Sequence, residues 1–344
     1  MKTEDSFPTQ DLDFILAHTD FQKLKDERIF LTGGTGFIGR WFLESFIHAN
    51  RALNLNAHLT VLSRDPEGFL LKYPKYKSLD HIDFWKGDVL DFSKSEKQFG
   101  VFIHAAAESD SRLDSENALT ASEIIVDGTK NVLNFAVDCN AKFFLYLSSG
   151  AVYGSLSEAQ VTESYNGAPL IDPKFTYGES KRYAELLCKI YSQKSKIKIS
   201  IARCFAFVGP GLPLDSAFAI GNFIKNILDR TKIQIKGDGA PFRSYMYPSD
   251  LMIWLWTILL KSESSEIYNV GSDFPISILN LANEISKMEG ISNNVTVGMK
   301  HNPSSPIGYY VPSIQKAIKQ LSLMIRVDLN ESIRKTINFH RGIQ

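Results

Sequence analysis

The sequence predicts an α/β protein, a doubly wound parallel sheet followed by a smaller mixed lobe. Three observations carry this. A glycine-rich turn joins an apolar strand to a helix near the start of the chain. Short apolar runs then alternate with helix-length segments up to Cys204. After Gly209-Pro210-Gly211 the connections lengthen, and Pro, Gly and Ser break the elements into shorter pieces.

Residues 1–27 read as an N-terminal arm with a short helix around Leu12–His18. The first strand, Ile29-Phe30-Leu31, stops at Thr32 and runs through Gly33, Gly34, Gly36 and Gly39 into a helix beginning at Phe37. Glycine there lets the backbone turn tightly and approach a diphosphate with no Cβ in the way. The helix that follows offers free N–H groups and a positive dipole end to an anion. Gly33, Gly36, Phe37, Ile38 and Gly39 are therefore expected to cradle a dinucleotide.

Further strands are expected at Leu59–Leu62, Ile82–Trp85, Val101–His104, Phe143–Leu147 and Ile199–Ala202. Helices are expected at Ala118–Asp138, Tyr177–Gln193 and Leu251–Leu260, the last still belonging to the first layer. This places a dinucleotide-binding unit at 28–204 and, at 205–344, mainly a lobe laid across the carboxyl ends of the strands. Ligands bind at that edge of such sheets.

The second strand ends Val61-Leu62-Ser63-Arg64-Asp65. An acid at that end binds the ribose 2′-hydroxyl of NAD, and a basic group accommodates the 2′-phosphate of NADP. Ser63 stands where the acid is expected and Arg64 follows, which favours NADP; Asp65 leaves NAD as the alternative. Asp88 and Val89, after the third strand, fit an adenine-binding position. Ala105 and Ala106, after the fourth, leave room for a cofactor to cross.

Two segments carry chemistry. Ser148-Ser149-Gly150-Ala151-Val152-Tyr153-Gly154 follows the fifth strand, and Tyr177-Gly178-Glu179-Ser180-Lys181 opens a helix. Residues four apart share a helix face, so Tyr177 and Lys181 can point into one site. A phenol titrates near pH ~10, and a neighbouring ammonium favours its ionised form. Tyr177 is thus the candidate acid/base for hydride chemistry at a carbinol or ketone. Lys181 also suits the nicotinamide ribose, and Ser149 can hydrogen-bond the reacting oxygen. A bare Y-x-x-x-K arises by chance; the order of turn, serine, tyrosine and lysine gives it weight.

Lys+Arg and Asp+Glu number 38 each in 344 residues, a balance that argues against nucleic acid or an anionic membrane as partner. Cys139, Cys188 and Cys204 are widely spaced in apolar surroundings and read as buried thiols; no metal set is expected. No apolar run approaches a membrane span, and the polar start is no signal peptide, so a cytoplasmic protein is expected.

Together, TGGTGFIG, GDV, HAAA, SSGAVYG, YGESK, RCFAFVGP (Arg203 to Pro210) and RSYMYPSD (Arg243 to Asp250) resemble the extended short-chain dehydrogenase/reductases of the nucleotide-sugar epimerase/dehydratase family. The likeness runs from about Arg28 to at least Val270. It implies a Rossmann domain, tightly held NAD(P), a nucleotide-diphosphate-sugar substrate, and a homodimer built on the helices at Ala118–Asp138 and Tyr177–Gln193. It further implies that Asn222 contacts the substrate diphosphate and that Arg243 clamps it. The family's 4,6-dehydratases carry an Asp-Glu pair where this chain has Gly150 and Ala151, and its decarboxylases keep a glutamate there. Both reactions are therefore disfavoured. Two family asparagines are replaced, by Ile125 and Ala206. What remains is reduction of a 4-keto sugar nucleotide or NAD-dependent 4-epimerisation. By family analogy the substrate is a 4-keto-6-deoxyhexose in polysaccharide building. The alternative from another class is a non-catalytic dinucleotide sensor, which retention of Ser149, Tyr177 and Lys181 argues against.

Overall fold

The computed structural model describes residues 7–92, 97–107, 117–157, 159–167, 169, 171–215, 218–288 and 295–343. A helix, α1 (Thr9–His18), precedes the first strand, starting three residues before the expected Leu12. Then follow β1 (Arg28–Thr32), α2 (Phe37–Leu53), β2 (His58–Ser63), α3 (Pro66–Lys72), β3 (Ile82–Lys86), β4 (Val101–His104), α4 (Ala118–Asp138), β5 (Phe143–Ser149), α5 (Thr176–Lys194) and β6 (Lys198–Cys204). The remainder is α6 (Ala219–Leu228), β7 (Ile233–Ile235), β8 (Phe242–Arg243), α7 (Pro248–Lys261), β9 (Ile267–Val270), β10 (Ile276–Ser277), α8 (Ile278–Met288), β11 (Val295–Val297), β12 (Tyr309–Tyr310), α9 (Gln315–Leu321) and α10 (Leu329–Arg341).

The main sheet has seven parallel strands in the order β3-β2-β1-β4-β5-β6-β9. Each central strand is apolar on both faces because each face is covered. Ile29, Leu31, Val101, Ile103, Leu145 and Leu147 join the core beneath α1, α2 and α7. The residues between them, Phe30, Phe102, Phe144 and Tyr146, join the core beneath α4 and α5. This is the two-residue period of a strand read into two cores. Trp41, Trp254 and Trp256 are fully buried in the first, each side chain of that size contributing about 1.5–3 kcal/mol.

The strand order reverses between β1 and β4, where a doubly wound sheet opens its ligand crevice. Gly33 sits there with φ +71°, and a Cβ on it would lie 2.7 Å from the Ala105 and Ala106 backbone. Only glycine lets the ends of β1 and β4 approach this closely. The His104 ring is buried just below, between Thr32 Oγ1 at 2.7 Å and Thr129 Oγ1 at 3.0 Å. Burial lowers its pKa to about 3, so it is a neutral structural group.

After β6 the chain leaves the sheet, and α7 and β9 return to it. The excursion includes β7, paired with β11, and β8, paired with β10 and β12. A third core of α6, α8, α10 and β7 residues holds this part together. Phe37 packs against both the first and third cores. The arm ties the far ends of the chain. Asp11 accepts hydrogen bonds from the Tyr247 hydroxyl and the Lys335 ammonium, both at 2.6 Å. Among the described residues, no helix is long and apolar enough to cross a membrane.

Candidate active site

Gly36 caps α2 from an exposed position, and a Cβ there would meet only the Gly33 carbonyl, at 3.4 Å. On Gly39 a Cβ would strike the Gly33 oxygen at 2.1 Å. The turn is thus pressed onto its helix on one side and open on the other, a shape that fits a dinucleotide diphosphate. Phe37 and Ile38 are half-buried behind it.

Strand β2 ends at Ser63, the expected residue. Asp65 N-caps α3, its Oδ1 accepting the Gly68 amide at 2.9 Å. Arg64 between them is exposed. Asp88 accepts the Leu90 amide on Oδ1 at 2.9 Å, so an adenine amino group would be met by Oδ2. The Val89 side chain is buried against Gly128 of α4. It can face a cofactor only through its backbone. Ala105 and Ala106 are half-buried at the end of β4.

Ser149 is the last residue of β5 and caps the 3-10 turn Gly150–Tyr153. Its Oγ accepts the Ala151 amide at 3.1 Å. Helix α5 begins against this turn, because Gly178 has no side chain: a Cβ would lie 2.3 Å from the Ala151 carbonyl oxygen. That contact seats the start of α5, with half-buried Tyr177 just before Gly178, against the turn that follows Ser149. Lys181 follows one turn later, its Nζ 6.0 Å from the Tyr177 ring centre. The ammonium donates to the Leu147 carbonyl at 2.8 Å and lies 4.8 Å over the Tyr146 ring. Burial lowers its pKa to about 8. The ammonium is therefore charged at neutral pH yet close to losing its proton.

A buried network behind the turn holds it in place. Glu185 of α5 accepts three bonds from Arg203 of β6, at 2.9, 3.2 and 2.7 Å, and one from Ser148 Oγ at 2.5 Å. Arg203 also donates to the Tyr153 hydroxyl, which donates to Asn269. Burial pushes the Tyr153 phenol up to about 12, so it stays a donor. Sequence reasoning passed over Glu185; a charged residue one turn beyond Lys181 on a helix with a buried face was the available signal.

The lobe contributes a residue that the motifs did not point to. The Tyr310 hydroxyl lies 3.4 Å from Ser149 Oγ, and Arg243 stands 5.7 Å over the Tyr310 ring. Ser149, Tyr310 and Arg243 therefore form one linked group. Asn222 is half-buried on α6, outside that group. Of the two replaced asparagines, Ile125 is buried in the second core and Ala206 packs against the third. All three cysteines are buried.

Known proteins resemble this chain in sequence and in fold. A family model described as the NAD dependent epimerase/dehydratase family matches residues 29–271. UDP-glucuronic acid decarboxylase 1 of Arabidopsis thaliana is 26% identical over 316 residues, 92% of this chain and 70% of the relative. The dTDP-D-glucose 4,6-dehydratase of Mus musculus is 26% identical over 329 residues, 92% and 89% of the two chains. Among solved structures, a Thermotoga maritima UDP-glucose 4-epimerase with UDP-glucose superposes with a TM-score of 0.77 at 18% identity, covering 91% of this chain and 98% of that one. A Bacillus anthracis dTDP-glucose 4,6-dehydratase in complex with NAD gives 0.76 at 19%, covering 92% and 96%. The structural likenesses speak for the fold. The family match extends from the first strand of the main sheet through its last, and the chain belongs to the NAD dependent epimerase/dehydratase family of extended short-chain dehydrogenase/reductases, whose members act on nucleotide sugars.

Proposed function

We propose that this chain is an NADP-dependent reductase of a 4-keto nucleotide-diphosphate sugar, with residues 28–204 for the dinucleotide and 205–344 mainly for the sugar nucleotide. The observation that carries the reading is Lys181 one helical turn from Tyr177, its Nζ 6.0 Å from that ring, on a helix seated against the turn after Ser149, which has no carboxylate at Gly150 or Ala151. Two relatives named above are a 4,6-dehydratase and a decarboxylase; this chain has no acid at either position to serve such an elimination. The exposed Arg64 directly after the end of β2 supports a 2′-phosphate over a bare ribose.

A bound nicotinamide supplies the hydride. Ser149 already accepts the Ala151 amide, so its hydroxyl proton can be donated to the ketone oxygen. Tyr177 gives that oxygen its proton as the carbonyl becomes a carbinol. The Lys181 ammonium stabilises the phenolate left behind. Arg243, with Asn222, is assigned to the substrate diphosphate, where a guanidinium binds with charge and geometry together.

The test is incubation with a 4-keto nucleotide sugar and NADPH, following reduced-nicotinamide absorbance. Stoichiometric loss is expected, slower by about 10²–10⁴-fold in Tyr177→Phe with NADPH binding retained. In Arg64→Ala the preference for NADPH over NADH should shrink by about 10-fold or more. Interconversion of 4-epimers without net consumption would replace the reductase with a 4-epimerase. Dinucleotide binding without turnover of any nucleotide sugar would leave a sensor. The reading extends to a cytoplasmic homodimer through α4 and α5, which expose Leu119, Val137, Tyr183, Leu186 and Ile190; a protomer-mass particle in sedimentation would rule the dimer out.

A further inference from the structure

Arg40 stands in the first turn of α2, its amide donating to the Gly36 carbonyl at 2.9 Å. The residue is only 7% exposed. Its guanidinium lies 4.0 Å over the centre of the Tyr73 ring and 5.0 Å over that of Phe7. Nη1 donates to the Tyr73 hydroxyl at 2.9 Å, and a Cβ on Gly211 would lie 3.7 Å from the same nitrogen. Nε and Nη2 are buried with no hydrogen-bond partner. Among the described residues no carboxylate pairs with this charge. Glu44, one turn further along α2, instead accepts the Tyr76 hydroxyl and the Lys75 ammonium. Arg203, buried to a similar degree, is paired with Glu185.

Two effects oppose a cation at this place. A buried charge with no partner loses its hydration and gains little in return. The first turn of a helix also carries the positive end of the dipole, and no acidic residue stands in that turn to offset it. The two rings attract the cation, but they are neutral. An anion near the start of α2 relieves both costs. The helix begins at Gly36, where the glycine turn is open on one side. Helix side chains lean toward the N-terminus, the end at which that turn lies. An unpaired cation at the wrong end of a helix is a local inconsistency of the kind that functional sites carry.

We propose that Arg40 is a positioning residue for the dinucleotide: its buried charge, unpaired in the free chain, takes the diphosphate held at the Gly33–Gly39 turn as its counter-charge. The inference rests on the dinucleotide reading of that turn. The guanidinium does not touch the ligand, because its unpartnered nitrogens are closed off by protein. It acts through the low-dielectric interior, adding its field to that of the α2 dipole. Phe7 and Tyr73 keep water from screening it.

The test is calorimetric titration of NADPH into the full chain, beside urea unfolding of the chain without dinucleotide. Arg40→Met keeps the length and apolar volume and removes the charge. It should weaken NADPH binding by about 10-fold. The free methionine chain should unfold at the wild-type urea concentration or a higher one, because no unpaired charge is buried in it. Arg40→Lys keeps the charge and should bind NADPH closer to wild type than methionine does. Phe7→Ala opens the guanidinium to water and should give a smaller loss than methionine. If the methionine variant does not fold, Arg40→Gln carries the same comparison. NADPH affinity unchanged by the neutral substitutions overturns the proposal, and so does a lysine variant no better than methionine. A free methionine chain less stable than wild type, with NADPH affinity unchanged, would leave Arg40 a structural residue only. If the wild type binds neither NADPH nor NADH, the dinucleotide reading of the turn fails, and the role of Arg40 with it.

Discussion

The two sides of the crevice are assembled in different ways. On the side proposed for the cofactor, Gly33 to Gly39 form one continuous turn, and Ser63 to Gly68 one strand end and helix cap. On the side proposed for the sugar, Ser149 meets Tyr310 across 161 residues, and Gly150 faces Phe205 from a different strand end. The first is built mostly from local backbone geometry, with the end of β4 at Ala105 and Ala106 as the distant neighbour against Gly33. The second exists only once β5, β6 and β12 have been brought together. A local motif survives changes elsewhere in the chain, whereas the sugar side inherits every shift in the elements that carry it.

The sharpest way to break this contrast is through Glu185, which holds the sugar-side turn from behind. Glu185→Ala leaves Arg203 buried without its carboxylate, a loss of about 3–5 kcal/mol. Chemical denaturation should show it, and nucleotide-sugar turnover should fall. Dinucleotide binding at the Gly33 turn, measured on the folded fraction, should stay close to wild type. A parallel loss on both sides would show that the cofactor turn is not independently held.

A smaller effect concerns Lys181, where the two sides meet. Its folded pKa of about 8 lies below its ordinary 10.5. Between those values the unfolded chain binds more protons than the native one, so stability rises with pH across that window. Below about pH 8 the full cost of burying the ammonium is present. Denaturation of the wild type against Lys181→Met from pH 7 to 10 should show the wild type gaining on the variant above pH 8. Over the same range the protein without bound cofactor loses the ammonium assigned to the Tyr177 phenolate. A pH-independent difference would remove this account of the lysine.

Much of the fold was legible before the structure. The strands from Ile29 to Ala202 and the helices at 118–138 and 177–193 carry strong periodicity and sit between clear turn signals. Ser63 was placed correctly at the end of β2. What the sequence did not show is that Asp65 N-caps the following helix through the Gly68 amide. The helix of the arm was shortened at its start because Thr9 and Gln10 carry no apolar signal, although Pro8 immediately before them suits a helix entry. Tyr310 lies in a two-residue strand, too short for any pattern to reveal, and its meaning comes from what it touches. Phe205 looked like the edge of a lobe, yet its amide continues the sheet ladder to Val270 and its ring fills the space beside Gly150.

The sequence by itself determined six of the seven strands of the sheet, the glycine turn, and the order of Ser149, Tyr177 and Lys181 along the chain; the seventh strand, Ile267–Val270, came only with the structure. These depend on periodicity, backbone freedom and spacing along one helix, all of them local properties. Only the tertiary structure decided what stands opposite them. The packing of Phe205 on Gly150, the reach of Tyr310 to Ser149 and the Glu185–Arg203 brace are contacts between distant segments. Their energies come from burial and desolvation, which do not exist until the chain has closed around them.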